Sequence, residues 1–136
     1  MTADLWIWLS LALLTELLPV PPLVARGSVP GGMRWIFNNR DSLLAGVASW
    51  GGRAIRARAN LADNTAMYTA AIGITHVTGA TNGATLVAGI VPLTARMLHA
   101  MVYIVGIPYL RTAVFAVGQF AMFVYVWQII AHFMAH

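Results

Sequence analysis

The sequence predicts an all-α integral membrane protein, and three observations support this fold class. Hydrophobic residues make up 60% of the 136 residues and charged residues only 9%, far below the roughly 25% charged residues of a soluble protein. Apolar stretches long enough to cross a bilayer core, which takes about 20 residues, recur along the chain. Short turns or one polar loop separate these stretches.

Four stretches qualify as membrane helices within a single domain. They cover about residues 5–24, 52–78, 84–105 and 109–132. The first is bent or ended by Pro19, Pro21 and Pro22, because proline removes a backbone donor and clashes with the preceding turn. A polar loop of about residues 25–51 follows, and tight turns separate the later helices.

The charges are distributed unevenly along the chain. It has eight basic residues, all of them arginines, against four acidic ones. Most of the arginines flank the 25–51 loop and Arg111 flanks the last turn, whereas both termini carry none. By the positive-inside rule, the loop is cytoplasmic and both termini lie outside. Because the arginines do not cover a soluble face, we expect no nucleic-acid partner.

Cysteine is absent from the chain, which excludes disulfides, thiolate metal sites and a protein thiol as nucleophile. Any thiol chemistry must therefore use a thiol of the substrate. His132 and His136 have the i, i+4 spacing of a metal pair, but they lie at the end of a terminal helix, and we expect no metal site.

Polar residues inside the apolar helices recur at helical spacing, so that each set shares one face. Each charge among them costs several kcal/mol in a bilayer unless it is paired or hydrated. The sets are Arg56, Asn60 and Asp63; Arg96, His99 and Tyr103; and Arg111 and Gln119, with Phe115 between them on the same face. Stripes that converge near the cytoplasmic half of the helices predict a polar pocket that opens to the cytoplasm.

The residue types of this pocket indicate its ligand. Arginines suit carboxylates through bidentate, charge-assisted hydrogen bonds. Asp63 suits an ammonium group and Asn60 an amide. The pattern predicts a small zwitterion whose carboxylates and amine lie about one tripeptide apart, a description that glutathione meets.

Three motifs then suggest a family. The segments NNRD (38–41) and WGGRAIRARANLADN (50–64) contain Asn-Arg-Asp, a Trp and an Arg-Ala repeat. The segment ARMLHAMVYIVGIPYLRT (95–112) carries Arg, His and Tyr at fixed spacing before a turn and another Arg. From about residue 17 to 128, the chain resembles the membrane-associated proteins in eicosanoid and glutathione metabolism (the MAPEG family), most closely its short bacterial members.

The resemblance implies a four-helix protomer in a homotrimer that binds glutathione between subunits. It assigns Arg111 to catalysis as the group that stabilises the glutathione thiolate, because a nearby cation lowers the pKa of a thiol. The residues that it assigns to glutathione binding are Arg26, Arg56, Asn60, Asp63, Arg96, His99, Tyr103 and Gln119. The chain departs from the family in having Asp63 for the usual Glu and Ala66 for the usual Pro.

The expected function is that of a microsomal-type glutathione transferase or peroxidase in a bacterial cytoplasmic membrane. It would deliver the activated thiol to a lipophilic electrophile that enters from the bilayer. A non-catalytic, lipid-binding protein of the same kind is the first alternative. A small multidrug transporter is the second, because such transporters also have four helices and one glutamate in the first, here Glu16. The strong arginine bias counts against it, since their dual-topology dimers need little bias.

Three other charged residues are expected to have structural roles. Glu16 is expected to pair with an arginine of the bundle, and Arg53 and Arg58 are expected to anchor the protein at lipid headgroups.

Overall fold

The computed structural model describes residues 2–135, and these residues form helices with no strand among them. In chain order the helices are α1 (Ala3–Leu17), α2 (Val20–Gly27), α3 (Gly32–Ile36), α4 (Ser49–Thr78), α5 (Gly83–Val105) and α6 (Pro108–Met134). The all-α prediction is therefore confirmed.

Three segments are long and apolar enough to cross a membrane. They are Ala3–Gly27, Gly83–Val105 and Pro108–Met134. The predicted second span is α4, whose 30 residues make a helix about 45 Å long. This length also suffices for a bilayer, but α4 is more polar than the other three because arginines and Asp63 interrupt its first half.

Prolines bend the first segment without ending it. Helix α1 stops at Leu17, and α2 starts at Val20 with a proline in its first turn, where the missing N–H has no helical partner to lose. The loop predicted for residues 25–51 is shorter than expected, because α2 continues to Gly27 and the short α3 lies within it.

Helix α4 is the central helix, and it contacts α1, α2, α5 and α6. Its Leu61, Tyr68 and Ile72 are buried in the hydrophobic core, and their spacing of seven and four residues places them on one face. Near its start, a Cβ added to Gly51 would lie 2.5 Å from the Cβ of Ala25. The absence of that atom lets α2 pack closely against α4.

Arg53 ties the start of α4 to the end of α5. Its Nε donates to the carbonyl of Ile104 at 2.9 Å, and carbonyls of a last helical turn otherwise lack partners. Gly106 has φ +96°, and a Cβ there would lie 3.0 Å from the guanidinium carbon of Arg53. The guanidinium of Arg53 thus holds the α5 C-terminus, a contact that the sequence did not predict, and its expected role as a headgroup anchor stays a prediction.

A contact between a carboxylate and a histidine ring joins two helices at the opposite end of the molecule. The Nδ1 atom of His76 lies 2.6 Å from Oδ2 of Asp4, and joins the end of α4 to the start of α1. Asp4 is only 3% exposed, so its carboxylate depends on this partner more than a surface group would.

We expect His76→Ala to destabilise the protein by about 1–3 kcal/mol, because the buried Asp4 carboxylate loses its hydrogen-bond partner. The melting temperature of the purified protein in detergent measures this loss. Asp41→Ala is the matched control, since Asp41 is exposed and forms no ion pair within residues 2–135. Equal melting temperatures for His76→Ala and the wild type would contradict the role given to this pair.

Candidate functional site

A polar cavity of about 220 Å³ lies where α4, α5 and α6 meet. It is called the polar cavity below. Its lining residues are Asn60, His99, Tyr103, Arg111, Thr112 and Phe115. The predicted convergence of polar stripes therefore brings together side chains from all three helices.

Aromatic rings order the side chains of the polar cavity. The His99 ring meets the Tyr103 ring edge-on, with 5.4 Å between centroids, and the Phe115 ring at 5.6 Å. The guanidinium carbon of Arg111 lies 4.6 Å from the centroid of the Tyr103 ring, a cation–π contact that holds the charge at the cavity. The turn at Gly106, where φ is positive, brings the start of α6 back beside α5.

Arg96 lies one turn deeper along α5 than His99 and is only 2% exposed. Its Nη2 donates to Oδ1 of Asn64 at 3.0 Å and to Oε1 of Gln119 at 2.8 Å. Asn64 in turn donates to the backbone carbonyl of Asn60 at 2.7 Å. One guanidinium thus joins α4, α5 and α6 through neutral partners.

The Arg96 guanidinium retains unused donors. Its Nε and Nη1 are buried and have no hydrogen-bond partner within the described chain. Its charge faces the rings of Phe115 at 4.8 Å and Tyr68 at 5.9 Å, and no carboxylate of residues 2–135 pairs with it. A buried cation with free donors is suited to receive an anionic group, because leaving it unpaired carries a large desolvation penalty.

The structure separates Arg56 from Asn60, although both lie on one face of α4. Arg56 lines a second cavity of about 500 Å³ together with Arg26, Trp35 and Arg53. It is called the basic cavity below. The residues assigned to one ligand by the sequence are therefore divided, within one chain, between the polar cavity, the basic cavity and the buried Arg96 cluster.

Asp63 belongs to none of these three groups. It is exposed on α4, and it forms no hydrogen bond or ion pair with another described residue. Ala59, Ala62 and Ala66 are exposed around it. Asp63 lies about 21 Å along α4 from Ser49, at a rise of 1.5 Å per residue. An unpaired carboxylate thus lies near the middle of the helix, on a face of small residues.

Glu16 and the two histidines with metal-pair spacing were also given expectations from the sequence. Glu16 is exposed and forms no ion pair within residues 2–135, so its predicted pairing with an arginine is wrong for the single chain. Of the two histidines with metal-pair spacing, His136 lies outside the described residues. The described part of the chain holds no group of three or more possible metal ligands.

Asn64 and Thr112 are functional candidates that the sequence reasoning missed. Asn64 holds Arg96, and Thr112 lines the polar cavity beside Arg111. A signal for Asn64 existed, because it follows Asn60 by one helical turn and continues the same polar stripe.

Comparison with known proteins gives one match. The family model described as the MAPEG family matches residues 5–131, nearly the whole chain. No curated protein and no solved structure matches the chain.

Replacing Gln119 with leucine is expected to lower the stability by about 1–3 kcal/mol, because the buried Arg96 loses an acceptor. Thermal unfolding in detergent is the measurement. Gln128→Leu is the control, since Gln128 is a partly buried glutamine of the same helix that accepts no hydrogen bond from Arg96. Similar losses in the two variants would show that the Arg96 contact contributes nothing specific.

Proposed function

We propose that this chain, which belongs to the MAPEG family, is a glutathione-dependent membrane enzyme. It would transfer the glutathione thiol to a lipophilic electrophile or use it to reduce a peroxide. The observation that carries this proposal is the polar cavity, where Arg111 lies beside His99, Tyr103 and Asn60 at the junction of three helices.

The donors in and below the polar cavity fit glutathione. Arg96 has two buried donor atoms without partners, and Arg111 is half-buried at the cavity wall. Guanidinium groups form short, charge-assisted hydrogen bonds with carboxylates. Asn60 and Tyr103 offer further hydrogen bonds to amide groups.

Asp63 fits the amino group of glutathione only if a second subunit meets α4. Its carboxylate is exposed and lines neither cavity of its own chain. The surrounding alanines permit a close helix–helix approach in a membrane. A homotrimer of four-span protomers, with α4 as the fourth span, would place Asp63, and with it Arg56 and Arg26, at the contact between subunits.

Arg111 has the catalytic role in this proposal. Glutathione supplies the thiol, whose ionised form is the nucleophile. A cation within a few ångströms favours the ionised form and lowers the pKa of the thiol. The Tyr103 ring, 4.6 Å from the guanidinium carbon, keeps Arg111 directed at the cavity.

The proposed orientation follows the arginine distribution. The end of the molecule with the starts of α4 and α6 would face the cytoplasm of a bacterial cell, and both termini would lie outside. The polar cavity would then receive glutathione from the cytoplasm and the electrophile from the bilayer.

Lipid binding without catalysis is the second candidate function. Two apolar cavities of about 390 and 440 Å³ lie along α5 and α6, and both are lined almost entirely by aliphatic and aromatic side chains such as Ile90, Val117 and Phe120. These cavities suit an acyl chain. A small multidrug transporter is not proposed, because the family match accounts for nearly the whole chain.

We expect Arg111→Ala to reduce glutathione turnover with an aryl halide by about 10²-fold, the usual loss when an electrostatic stabiliser is removed. The pH–rate profile should also move to higher pH, because the thiol no longer benefits from the cation. Purified protein in detergent is assayed for turnover and for glutathione binding.

The matched control is Arg34→Ala, an exposed arginine of α3 that lines no cavity of the proposed site. It should keep wild-type turnover. Wild-type protein that binds no glutathione and copurifies with lipid would favour the second candidate. Glutathione turnover that is unchanged in Arg111→Ala would remove the catalytic role of Arg111.

The proposed assembly predicts that Ala66→Trp separates the subunits, because an indole on the small-residue face prevents close approach of α4. Native mass spectrometry of the detergent-solubilised protein reports the oligomeric state. Ala113→Trp, at an exposed alanine of α6, is the control and should preserve the trimer. An intact trimer in Ala66→Trp would contradict an interface at this face.

A further inference from the structure

A third cavity shares Arg26 and Trp35 with the basic cavity and is also lined by two arginines that the proposed enzymatic site does not use. Its volume is about 200 Å³, and Arg40 and Arg58 line it together with Arg26. It is called the Arg40 cavity below. Neither Arg40 nor Arg58 lines the polar cavity or the basic cavity.

The positive charge of the Arg40 cavity is not neutralised by the chain itself. No carboxylate is among its lining residues, and none of the arginines forms an ion pair with a carboxylate anywhere in residues 2–135. Three like charges around one small cavity repel one another. An anion between them would relieve this repulsion.

The local backbone holds the cavity in shape. Arg40 has φ +63°, a left-handed conformation that is uncommon and costly for a residue other than glycine. Its Nε and Nη2 donate to the carbonyl of Ile36 at 3.3 and 3.1 Å. The indole N–H of Trp35 donates to the carbonyl of Ser42 at 2.6 Å. Hydrogen bonds to α3 residues therefore hold the segment after α3 at both Arg40 and Ser42.

The Trp35 ring contacts two of the three guanidinium groups that line the cavity. The guanidinium carbons of Arg26 and Arg40 lie 5.3 and 5.6 Å from the centroid of its ring. These cation–π contacts fix where both guanidinium groups lie. The N–H groups of Arg26 stay free for a planar, multidentate acceptor, and so does Nη1 of Arg40, whose Nε and Nη2 donate to Ile36. Phosphate is such an acceptor, and arginine binds it in this manner.

Part of the cavity wall is apolar and belongs to the first membrane-capable segment. Pro22 and Leu23 line the cavity, and both lie within the Ala3–Gly27 segment. This segment ends at the same end of the molecule as the start of α4, against which α2 packs. Arginine and tryptophan at such a helix end are typical of the headgroup layer of a membrane.

We propose that the Arg40 cavity binds the phosphate group of an anionic phospholipid. The arginines bind the phosphate, and the wall formed by Pro22 and Leu23 receives the start of the acyl chains. Free phosphate carries the same anionic group but has no apolar part that could contact the wall. Arg26 is shared with the proposed glutathione site, but Arg40 and Arg58 are not, so variants of these two residues test the lipid site separately from glutathione.

The test measures lipid retention by native mass spectrometry of the full-length protein in mixed micelles. The micelles contain either phosphatidylglycerol or phosphatidylcholine with the same acyl chains. Wild type is expected to retain phosphatidylglycerol several-fold more. Arg40→Gln and Arg58→Gln should each reduce that retention about threefold or more, at unchanged turnover. Arg34→Gln removes an exposed charge from α3, the helix that also carries Trp35, and should leave the retention as in wild type.

Three results would overturn the proposal. Equal retention of the two lipids by wild type would show that no headgroup is selected. Equal losses in Arg34→Gln and in the two cavity variants would show diffuse charge attraction only. Full displacement of phosphatidylglycerol by millimolar inorganic phosphate would assign the cavity to free phosphate. Because Arg58 is exposed on α4, Arg58→Gln keeps the test valid even if Arg40→Gln disturbs its strained segment.

Discussion

The guanidinium of Arg96 is the interaction on which the helix arrangement depends. It is almost fully buried and carries a charge that cannot be left in an apolar interior without partners. Its hydrogen bonds to Asn64 and Gln119 and its contacts with the Phe115 and Tyr68 rings fix α4, α5 and α6 relative to one another. The polar cavity forms directly beside this group, because the same three helices then bring Asn60, His99 and Arg111 together.

The two ends of the molecule are held by opposite chemistry. At one end the buried Asp4 carboxylate contacts His76, and this contact joins α1 to α4. At the other end the arginines have no carboxylate partners within residues 2–135. Arg53 binds backbone carbonyls, and five other arginines line cavities, namely Arg26, Arg40, Arg56, Arg58 and Arg111. This asymmetry places the three arginine-lined cavities at the same end of the molecule, where uncompensated cations favour anions.

Most of the candidate site can be predicted from local spacing. His99, Tyr103 and Arg111 share one cavity because helical periodicity puts the first two on one face and a short turn returns the chain. Arg56 and Asn60 show the limit of that reasoning. A shared helix face does not imply a shared cavity, because α4 is about 45 Å long and different neighbours cover its successive turns. Arg53 shows a second limit, since its carbonyl partners lie 51 and 52 residues away in sequence.

The sequence by itself determines that the protein is helical and apolar, where its helices run and which residues carry polar stripes, because these properties depend on composition and local periodicity. It also carries the MAPEG pattern. Only the tertiary structure decides which polar residues meet. Whether an arginine contacts a carbonyl, an aromatic ring or a cavity depends on how distant helices pack against α4. For the same reason Asp63, which looked like a pocket residue by spacing, lies on the exposed face of its own chain.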